Sequence, residues 1–491
     1  MRTVILTVIL FSCFVIGWAR TPQTYRLRDD THYARIQSNG SGGGSLLSNS
    51  IIDIQTDSLR SGFWLATGNG INFWRPSDSS WINAVSGTQI GEGGVSAIAP
   101  AHFTVWAATA FDTTIGGESY PAGGGIGYST DNGDNWIWMH QPVDSRDTTS
   151  YHPTTTIIQN VTYDLAVTNR AVWAADFGGG LRKYTFSDST WRVRPPDANP
   201  FSPLTYLNHR AFSVVAANDS TIWVGTAGGL NLSSDDGATW INYHASASDT
   251  LTISGNFVVA LHMQHTRSGR TVIWAATWQA EDPNERNGVC WSDNAGITWH
   301  RTLLDEKAHN ITSDDSVVYV AGTSGLWKSS DFGTTWGLFP TIRDARNINR
   351  FVDAELYSVA AGFNRLTAGG PDGWAVTRDL GYTWWIGRVF ISDTVRGQPK
   401  TYAYPNPYSP QRYNAVRIQY YLPSAGTVTI TVYNFAMEKA GTIVKNVSRP
   451  SGDNYELWDG RFGGSVMANG VYFYHVEKPG GDAWGKIAIL D

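Results

Sequence analysis

Polar residues suited to ligand binding recur just ahead of apolar, strand-like segments of this chain. They are His152, His209 with Arg210, Asn256, His309 with Asn310, and Asn349 with Arg350. Imidazole, amide and guanidinium groups at equivalent points of a repeated unit would face one shared ligand, or would line a water-filled channel. The sequence leaves both interpretations open.

Aromatic and acidic residues accompany this set. Tyr206 and Trp278 could stack on a sugar ring, while Glu281 and Asp282 could supply a paired acid and base. The two acids also fit a solvated turn, because Pro283 follows them directly. We predict Tyr206 and Trp278 as binding residues together with the polar set, and we assign no catalytic residue.

An eight-residue pattern, S-x-D-x-G-x-T-W, organises the chain. It occurs at 129–136, 233–240, 292–299, 329–336 and 377–384, and shorter relatives at 77–81 and 187–191 keep the final Trp. The closing tryptophans are 37 to 59 residues apart, an interval that suits one four-stranded unit with a variable loop. The sequence therefore predicts seven β-propeller blades.

Each copy of the eight-residue pattern, called a box from here on, is predicted to form a hairpin between the third and fourth strands of a blade. Its Asp or Asn would cap turn N–H groups, its Gly would take positive φ, and its Trp would pack inward. These structural positions are Asp131, Trp136, Asp235, Trp240, Asn294, Trp299, Asp331, Trp336, Asp379 and Trp384.

The motif resembles the BNR or Asp-box repeat of sialidases, sortilin-type receptors, xyloglucanase-like glycosidases and photosystem assembly factors. That resemblance implies a β-propeller, which we place at residues 45–392. Sialidases by resemblance use three arginines, a Tyr–Glu pair and an Arg-Ile-Pro signature. Residues 35–37 read Arg-Ile-Gln, and only Arg210 and Arg350 could join an arginine cluster. We therefore assign no sialidase site.

The topology of a four-stranded meander separates two faces. The boxes and the first-to-second strand turns share one face, and the second-to-third turns and inter-blade connections share the other. The long segments fall on this second face: 111–122, 279–287, 141–153, 195–210 and 244–255. Binding residues concentrate on long loops over a rigid scaffold, so this face is the predicted site.

The N-terminus is typical of a cleaved signal peptide. Arg2 precedes an apolar run at 4–16, and cleavage is predicted after Ala19, which leaves an extension at 20–44. A membrane anchor would need a longer apolar run, and a lipobox around Cys13 is the other alternative. Cleavage would leave Cys290 without an intrachain partner. We expect a secreted or cell-surface protein with no transmembrane segment after cleavage.

A separate module follows a linker at 393–401. Residues 402–491 contain Y-P-N-P at 404–407, W-D-G at 458–460 and G-V-Y-F-Y at 470–474 among short alternating strands. These landmarks resemble the FlgD-type Ig-like domain and the type A sorting domain of the type IX secretion system. The resemblance implies a small Ig-like β-sandwich and bacterial secretion machinery as a partner, although the chain ends in Asp491 rather than a basic residue. A spacer or adhesion module is the alternative.

The predicted fold class is thus all-β, a seven-bladed β-propeller followed by a small Ig-like β-sandwich. A net charge of -6 with mixed signs disfavours nucleic acid as a partner. The motifs for metal, nucleotide and dinucleotide sites do not occur, so we predict no cofactor and no metal. The leading hypothesis is a non-enzymatic propeller that binds an extracellular protein or glycan. The alternatives are a glycoside hydrolase or lyase and a structural surface protein.

Overall fold

A computed structural model describes residues 46–144, 154–280, 282–344, 350–389 and 400–490. Within these ranges the regular elements are β-strands and one 3-10 turn, Leu207–His209. The predicted signal peptide, the extension at 20–44, and residues His152, Glu281 and Asn349 lie outside the described residues, as do 390–399 of the propeller end and linker.

Four-stranded antiparallel sheets form the first four blades. Blade 1 has β1 Ile51–Asp57, β2 Gly62–Thr67, β3 Gly70–Arg75 and β4 Ser80–Val85; blade 2 has β5 Gly94–Pro100, β6 Val105–Ile115, β7 Glu118–Ser129 and β8 Ile137–Met139. Blade 3 has β9 Thr162–Val167, β10 Ala171–Asp176, β11 Gly180–Thr185 and β12 Thr190–Val193; blade 4 has β13 Ala211–Ala216, β14 Ile222–Thr226, β15 Gly229–Ser233 and β16 Ile241–Tyr243.

Three more blades of the same kind complete the ring. Blade 5 has β17 Phe257–His265, β18 Thr271–Trp278, β19 Gly288–Ser292 and β20 His300–Thr302; blade 6 has β21 Ala308–Asp314, β22 Val317–Gly322, β23 Gly325–Ser329 and β24 Gly337–Leu338. Blade 7 has β25 Ser358–Gly362, β26 Arg365–Gly370, β27 Gly373–Thr377 and β28 Trp385–Gly387. The first strands contact one another in order and β25 contacts β1, so the seven blades close into a β-propeller.

The second strand of each blade is buried on both of its faces. β2, β10 and β14 are buried along their whole length, with Trp64, Trp173 and Trp223 beside small residues. A strand enclosed between two neighbouring blades has no solvent side, which explains its continuous rather than alternating apolar sequence. The large indoles fill the space that widens between blades, and the small residues let the sheets approach.

Side chains of the innermost strands link neighbouring blades through backbone groups. Asp53 accepts from the Ile98 N–H, Asp164 from Val214, Asn310 from Val359 and the Ser358 hydroxyl from Ile54, while the Ser213 hydroxyl donates to the Val258 carbonyl. An innermost strand has no ladder partner on its channel side, so these contacts satisfy groups that would otherwise need water.

The ring closes between blades 1 and 7 without an exchanged strand. Ile51 packs in one apolar cluster with Trp374, and the Asn49 side chain donates to the Val389 carbonyl and accepts from the Val389 N–H, at 2.9 and 2.7 Å. Each blade is a contiguous segment, so these side-chain contacts hold the first and last blades together.

The Asp-boxes occupy the turns between third and fourth strands. In blade 4 the Asp235 carboxylate accepts hydrogen bonds from the Thr239 N–H and hydroxyl and from the Ser233 hydroxyl. These hydrogen bonds, the Thr239 hydroxyl first, lower the pKa of Asp235 to about 2. Gly237 has φ +84°, and a Cβ there would lie 2.6 Å from the Trp173 ring of blade 3. The box Gly therefore serves both the turn and the packing of adjacent blades.

The C-terminal module consists of two packed sheets. Its strands are β29 Thr401–Tyr404, β30 Val416–Leu422, β31 Gly426–Tyr433, β32 Lys439–Arg449, β33 Gly452–Trp458, β34 Arg461–Phe462, β35 Ser465–Val466, β36 Gly470–Glu477 and β37 Ala483–Ile489. One sheet has the order β29-β30-β33 and the other β32-β31-β36-β37, while β34 and β35 form a separate two-stranded hairpin. Ile418 and Tyr420 from the first sheet pack with Ile430 and Tyr474 from the second in one buried core. We call this module the sandwich.

Candidate functional site

Two faces of the propeller are distinguished by the turns that they carry. The Asp-box face holds the box turns and the first-to-second strand turns; the long-loop face holds the second-to-third turns and the connections between blades. In blade 2 the segment 111–122, which the sequence predicted as a long connection, is mostly strand. β6 and β7 extend together to a turn at Gly116 and Gly117, forming a projecting hairpin on the long-loop face.

His209 is buried in the connection between blades 3 and 4. Its Nδ1 accepts from the Ser202 N–H at 2.9 Å, so Nε2 carries the proton and donates to Asp197 at 3.0 Å. Partial burial raises the pKa of Asp197, but the hydrogen bond from His209 and further donors lower it below its ordinary value overall. Tyr206 packs on the same imidazole, with ring centroids 5.0 Å apart. This histidine therefore fixes its own loop.

Arg210 is also used within that connection. Its Nε donates to the Pro203 carbonyl at 2.6 Å, and its guanidinium lies 5.8 Å from the ring centroid of Phe177. Only 9% of its surface is exposed. The structure thus places Tyr206, His209 and Arg210 together, as parts of one ordered loop.

Asn256 belongs to a second ordered region, around blade 5. Its side-chain oxygen accepts from the Ala245 N–H, and its amide nitrogen donates to Glu285 at 2.5 Å. The buried Glu285 carboxylate also accepts from the N–H groups of Asn256 and Ala280. One carboxylate therefore organises both the connection before blade 5 and the loop after Trp278, and no motif in the sequence distinguishes it.

Trp278 and His309 form the second pair that the structure brings together. Their ring centroids are 5.4 Å apart in an edge-to-face arrangement, and both side chains are buried. The Trp278 indole donates to the Ala308 carbonyl, and His309 Nε2 lies 3.2 Å from a carboxylate oxygen of Glu355. Asn310 is one of the inter-blade acceptors described above. Arg350 accepts a hydrogen bond from Arg388 through its carbonyl.

The sandwich docks on the long-loop face beside blades 6 and 7. Arg412 pairs with Glu355 at 3.1 Å, the Tyr404 hydroxyl donates to the Pro371 carbonyl, and the Asn414 N–H donates to the Val352 carbonyl. Glu355, which bonds His309 inside the propeller, therefore also contacts the sandwich.

A buried charge cluster lies at the centre of this interface. Asp372, in the second-to-third turn of blade 7, is paired with Arg388 at 2.9 Å and with Arg417 of the sandwich at 2.5 Å. Burial would raise the pKa of Asp372, but the two guanidinium groups lower it below its ordinary value. In contrast, burial raises the pKa of Asp353 to about 6, against the lowering effect of the hydrogen bond from the Glu355 N–H.

The Asp-box face, where the sequence predicted no binding site, contains a cavity. This cavity, of about 860 Å³, opens among the first-to-second turns of blades 1 to 4 and runs between blades 2 and 3. Leu59 and Phe103 on its rim are 62% and 84% exposed. The cavity draws on turns far apart in sequence, so only an excess of apolar residues in turns could have signalled it.

No group of three or more His, Cys, Asp or Glu side chains is arranged to hold a metal ion among the residues described. The part of the chain that the structure describes contains no helix long and apolar enough to cross a membrane.

Comparisons with known proteins return structural neighbours of low identity. The chain is similar to YCF48 from Cyanidioschyzon merolae, with 15% identity and a TM-score of 0.43 over 67% of this chain and 96% of that one. A structure of YCF48 bound to D1 peptide matches at 14% identity and a TM-score of 0.39, over 72% and 96% of the two chains.

A third neighbour is the extracellular domain of the putative hybrid two component system BT4673 from B. thetaiotaomicron. It matches at 12% identity and a TM-score of 0.29, over 90% of this chain and 74% of that one. No family model matches the chain, and no curated protein matches it.

Proposed function

We propose that this protein is an exported, non-enzymatic propeller that binds an extracellular protein or glycan through the long-loop face of blades 2 to 5. The C-terminal sandwich, which resembles the FlgD-type and sorting domains, serves secretion or surface attachment. The observation that carries the proposal is the construction of the loops in this sector. The buried side chains of His209 and Glu285 hydrogen-bond Asp197 and Asn256, respectively, and also bond backbone N–H groups of these loops.

Such loops suit recognition for a thermodynamic reason. Burying a histidine or a carboxylate costs free energy unless its hydrogen bonds are made. His209 and Glu285 make theirs partly with backbone N–H groups of the loops. A surface ordered in this way loses little conformational entropy when a ligand binds.

The sandwich contacts a different sector from the proposed binding surface. Among the described residues, its hydrogen bonds to the propeller involve Val352, Glu355, Pro371 and Asp372, which belong to blades 6 and 7 and their connection.

The test uses the mature full chain on arrays of glycans and of extracellular proteins, with a panel of polysaccharides assayed in parallel for bond cleavage. We expect retention of a defined ligand without cleavage. Replacing residues 114–119, at the tip of the blade 2 hairpin, with Asn-Gly shortens a projecting wall while keeping a tight turn, and should weaken retention. Asp293→Asn, on the Asp-box face, is the control.

Two results would overturn the proposal. Sustained cleavage of any polysaccharide would instead support the glycoside hydrolase or lyase alternative. The absence of a retained ligand on either array would support a structural surface protein.

A further inference from the structure

The cavity on the Asp-box face has the dimensions of a ligand site. Its volume of about 860 Å³ falls within the range of about 300–1,000 Å³ that is usual for such sites. It lies among the first-to-second turns of blades 1 to 4, at the opposite end of the channel from the long-loop face. An occupant here would not compete with a ligand of the long-loop face.

One side of the cavity is aromatic. Trp106 of blade 2 packs against Tyr128, Tyr184 and Phe186, with ring centroids 4.7, 5.6 and 6.1 Å apart. Trp106 is only 2% exposed, so its indole supports the wall from behind and presents no open face to a sugar ring. Phe186 is 37% exposed and forms part of the accessible surface.

The rim adds apolar side chains that the fold does not require. Leu59 and Phe103 lie on the adjacent turns of blades 1 and 2, and both are largely exposed. Turn positions of this kind are ordinarily polar, because an exposed apolar side chain loses the gain from burial. A ligand that covered both residues would recover that gain.

The opposite side of the cavity is polar. Asn169, Asn218 and Asp219 line it on blades 3 and 4, and the lining includes two carboxylates, Asp57 and Asp219, but neither Lys nor Arg. Asp57 is bonded to Arg60 and Trp64, and the Asp219 side chain, which is 26% exposed, accepts from the Asn169 N–H and lies 3.7 Å from the Arg170 guanidinium.

The geometry points to a segment of a partner polypeptide as the occupant. We propose that an apolar anchor side chain of that segment inserts between Phe103, Leu59 and the aromatic wall, while its neutral or basic flanking residues face Asn169 and Asp219. Amide-bearing and acidic side chains complement peptide N–H groups and cations, and leucine and phenylalanine complement an apolar side chain.

The test pans a phage-displayed library of random 12-residue peptides against the full chain. We expect enriched peptides that share an aromatic or aliphatic anchor and lack acidic residues. Phe103→Asp should weaken their binding at least about tenfold, the usual effect of losing an interface anchor. Tyr382→Asp is the matched control, because Tyr382 is 88% exposed in the blade 7 box of the same face, outside the cavity.

Three results would overturn this proposal. The first is no enrichment, and the second is enrichment of peptides that bind the Phe103→Asp chain as well as the unaltered chain. The third is retention of a glycan on an array that Phe103→Asp abolishes, which would assign the cavity to carbohydrate. The hairpin variant of blade 2 and the Phe103 variant lie on opposite faces. Loss of peptide binding at the cavity can therefore be distinguished from loss of ligand binding at the long-loop face.

Discussion

Asp372 is expected to control the attachment of the sandwich to the propeller. The Asp372→Asn substitution keeps the volume of the side chain but removes a negative charge that pairs with both Arg388 and Arg417. These guanidinium groups are 1% and 2% exposed, so water cannot replace the lost partner. Breaking a buried ion pair on one side costs about 3–5 kcal/mol. That is a large part of the stability of a typical domain, about 5–15 kcal/mol.

The free energy lost in Asp372→Asn should appear as separation of the sandwich from the propeller rather than as unfolding of either domain. The propeller and the sandwich have separate apolar clusters, and Asp372 belongs to neither. Hydrogen exchange followed by mass spectrometry should show faster exchange in peptides covering 350–356 and 412–417. Peptides from β2 and β10 should be unchanged, because these strands lie inside the propeller core.

Two further variants serve as controls for the charge cluster. Asp305→Asn removes an exposed partner of Arg286 and should change neither exchange nor the unfolding midpoint. Arg417→Met combined with Asp372→Asn should recover part of the loss, since one buried guanidinium group, that of Arg388, is then left without the carboxylate instead of two. If Asp372→Asn alone exchanges and unfolds like the unaltered chain, the charge cluster does not hold the sandwich in place.

Three shorter predictions concern acidity, packing and thiol chemistry. The pKa of Asp353 is about 6 in the folded chain and ordinary, about 4, in the unfolded chain. The stability that Asp353 contributes is therefore complete below about pH 4 and is lost as pH rises through about 6. Asp353→Asn should remove this pH dependence from thermal unfolding midpoints. Gly237→Ala should cost about 2–4 kcal/mol in urea unfolding, from positive φ and from contact with Trp173. Gly269→Ala, at the same φ of +84° but with nothing within 4 Å, should show the backbone part alone. Cys290 is buried and burial raises its thiol pKa, so a chromogenic disulfide reagent should react with it only after unfolding.

The propeller was predictable because its signals are local and repeated. A box needs Asp235 and Thr239 four residues apart, and Gly237 between them, in one turn, so the pattern is legible in eight letters. Buried second strands also mark themselves by continuous apolar sequence with Trp and Ala. These features depend on neighbours in sequence, and the structure has the predicted seven blades of four strands.

The site was less predictable because its contacts join distant parts of the chain. His209 and Asp197 meet inside a loop without periodicity, and nothing in the sequence distinguishes a histidine that holds a loop from one that faces a channel. Glu285, which orders two loops at once, sits in an ordinary polar stretch. The aromatic cavity forms only where turns of four blades converge on the Asp-box face, and no single turn sequence indicates it.

The closure of the ring has a consequence for how the chain can be rewired. Every blade is a contiguous segment, and the Asn49–Val389 contact brings the two ends of the propeller side by side. The ends could therefore be joined by a short peptide and the chain reopened at another boundary, such as the connection 303–307 between blades 5 and 6. The order in which blades leave the ribosome would change while each blade kept its neighbours, which makes this propeller a suitable subject for circular permutation.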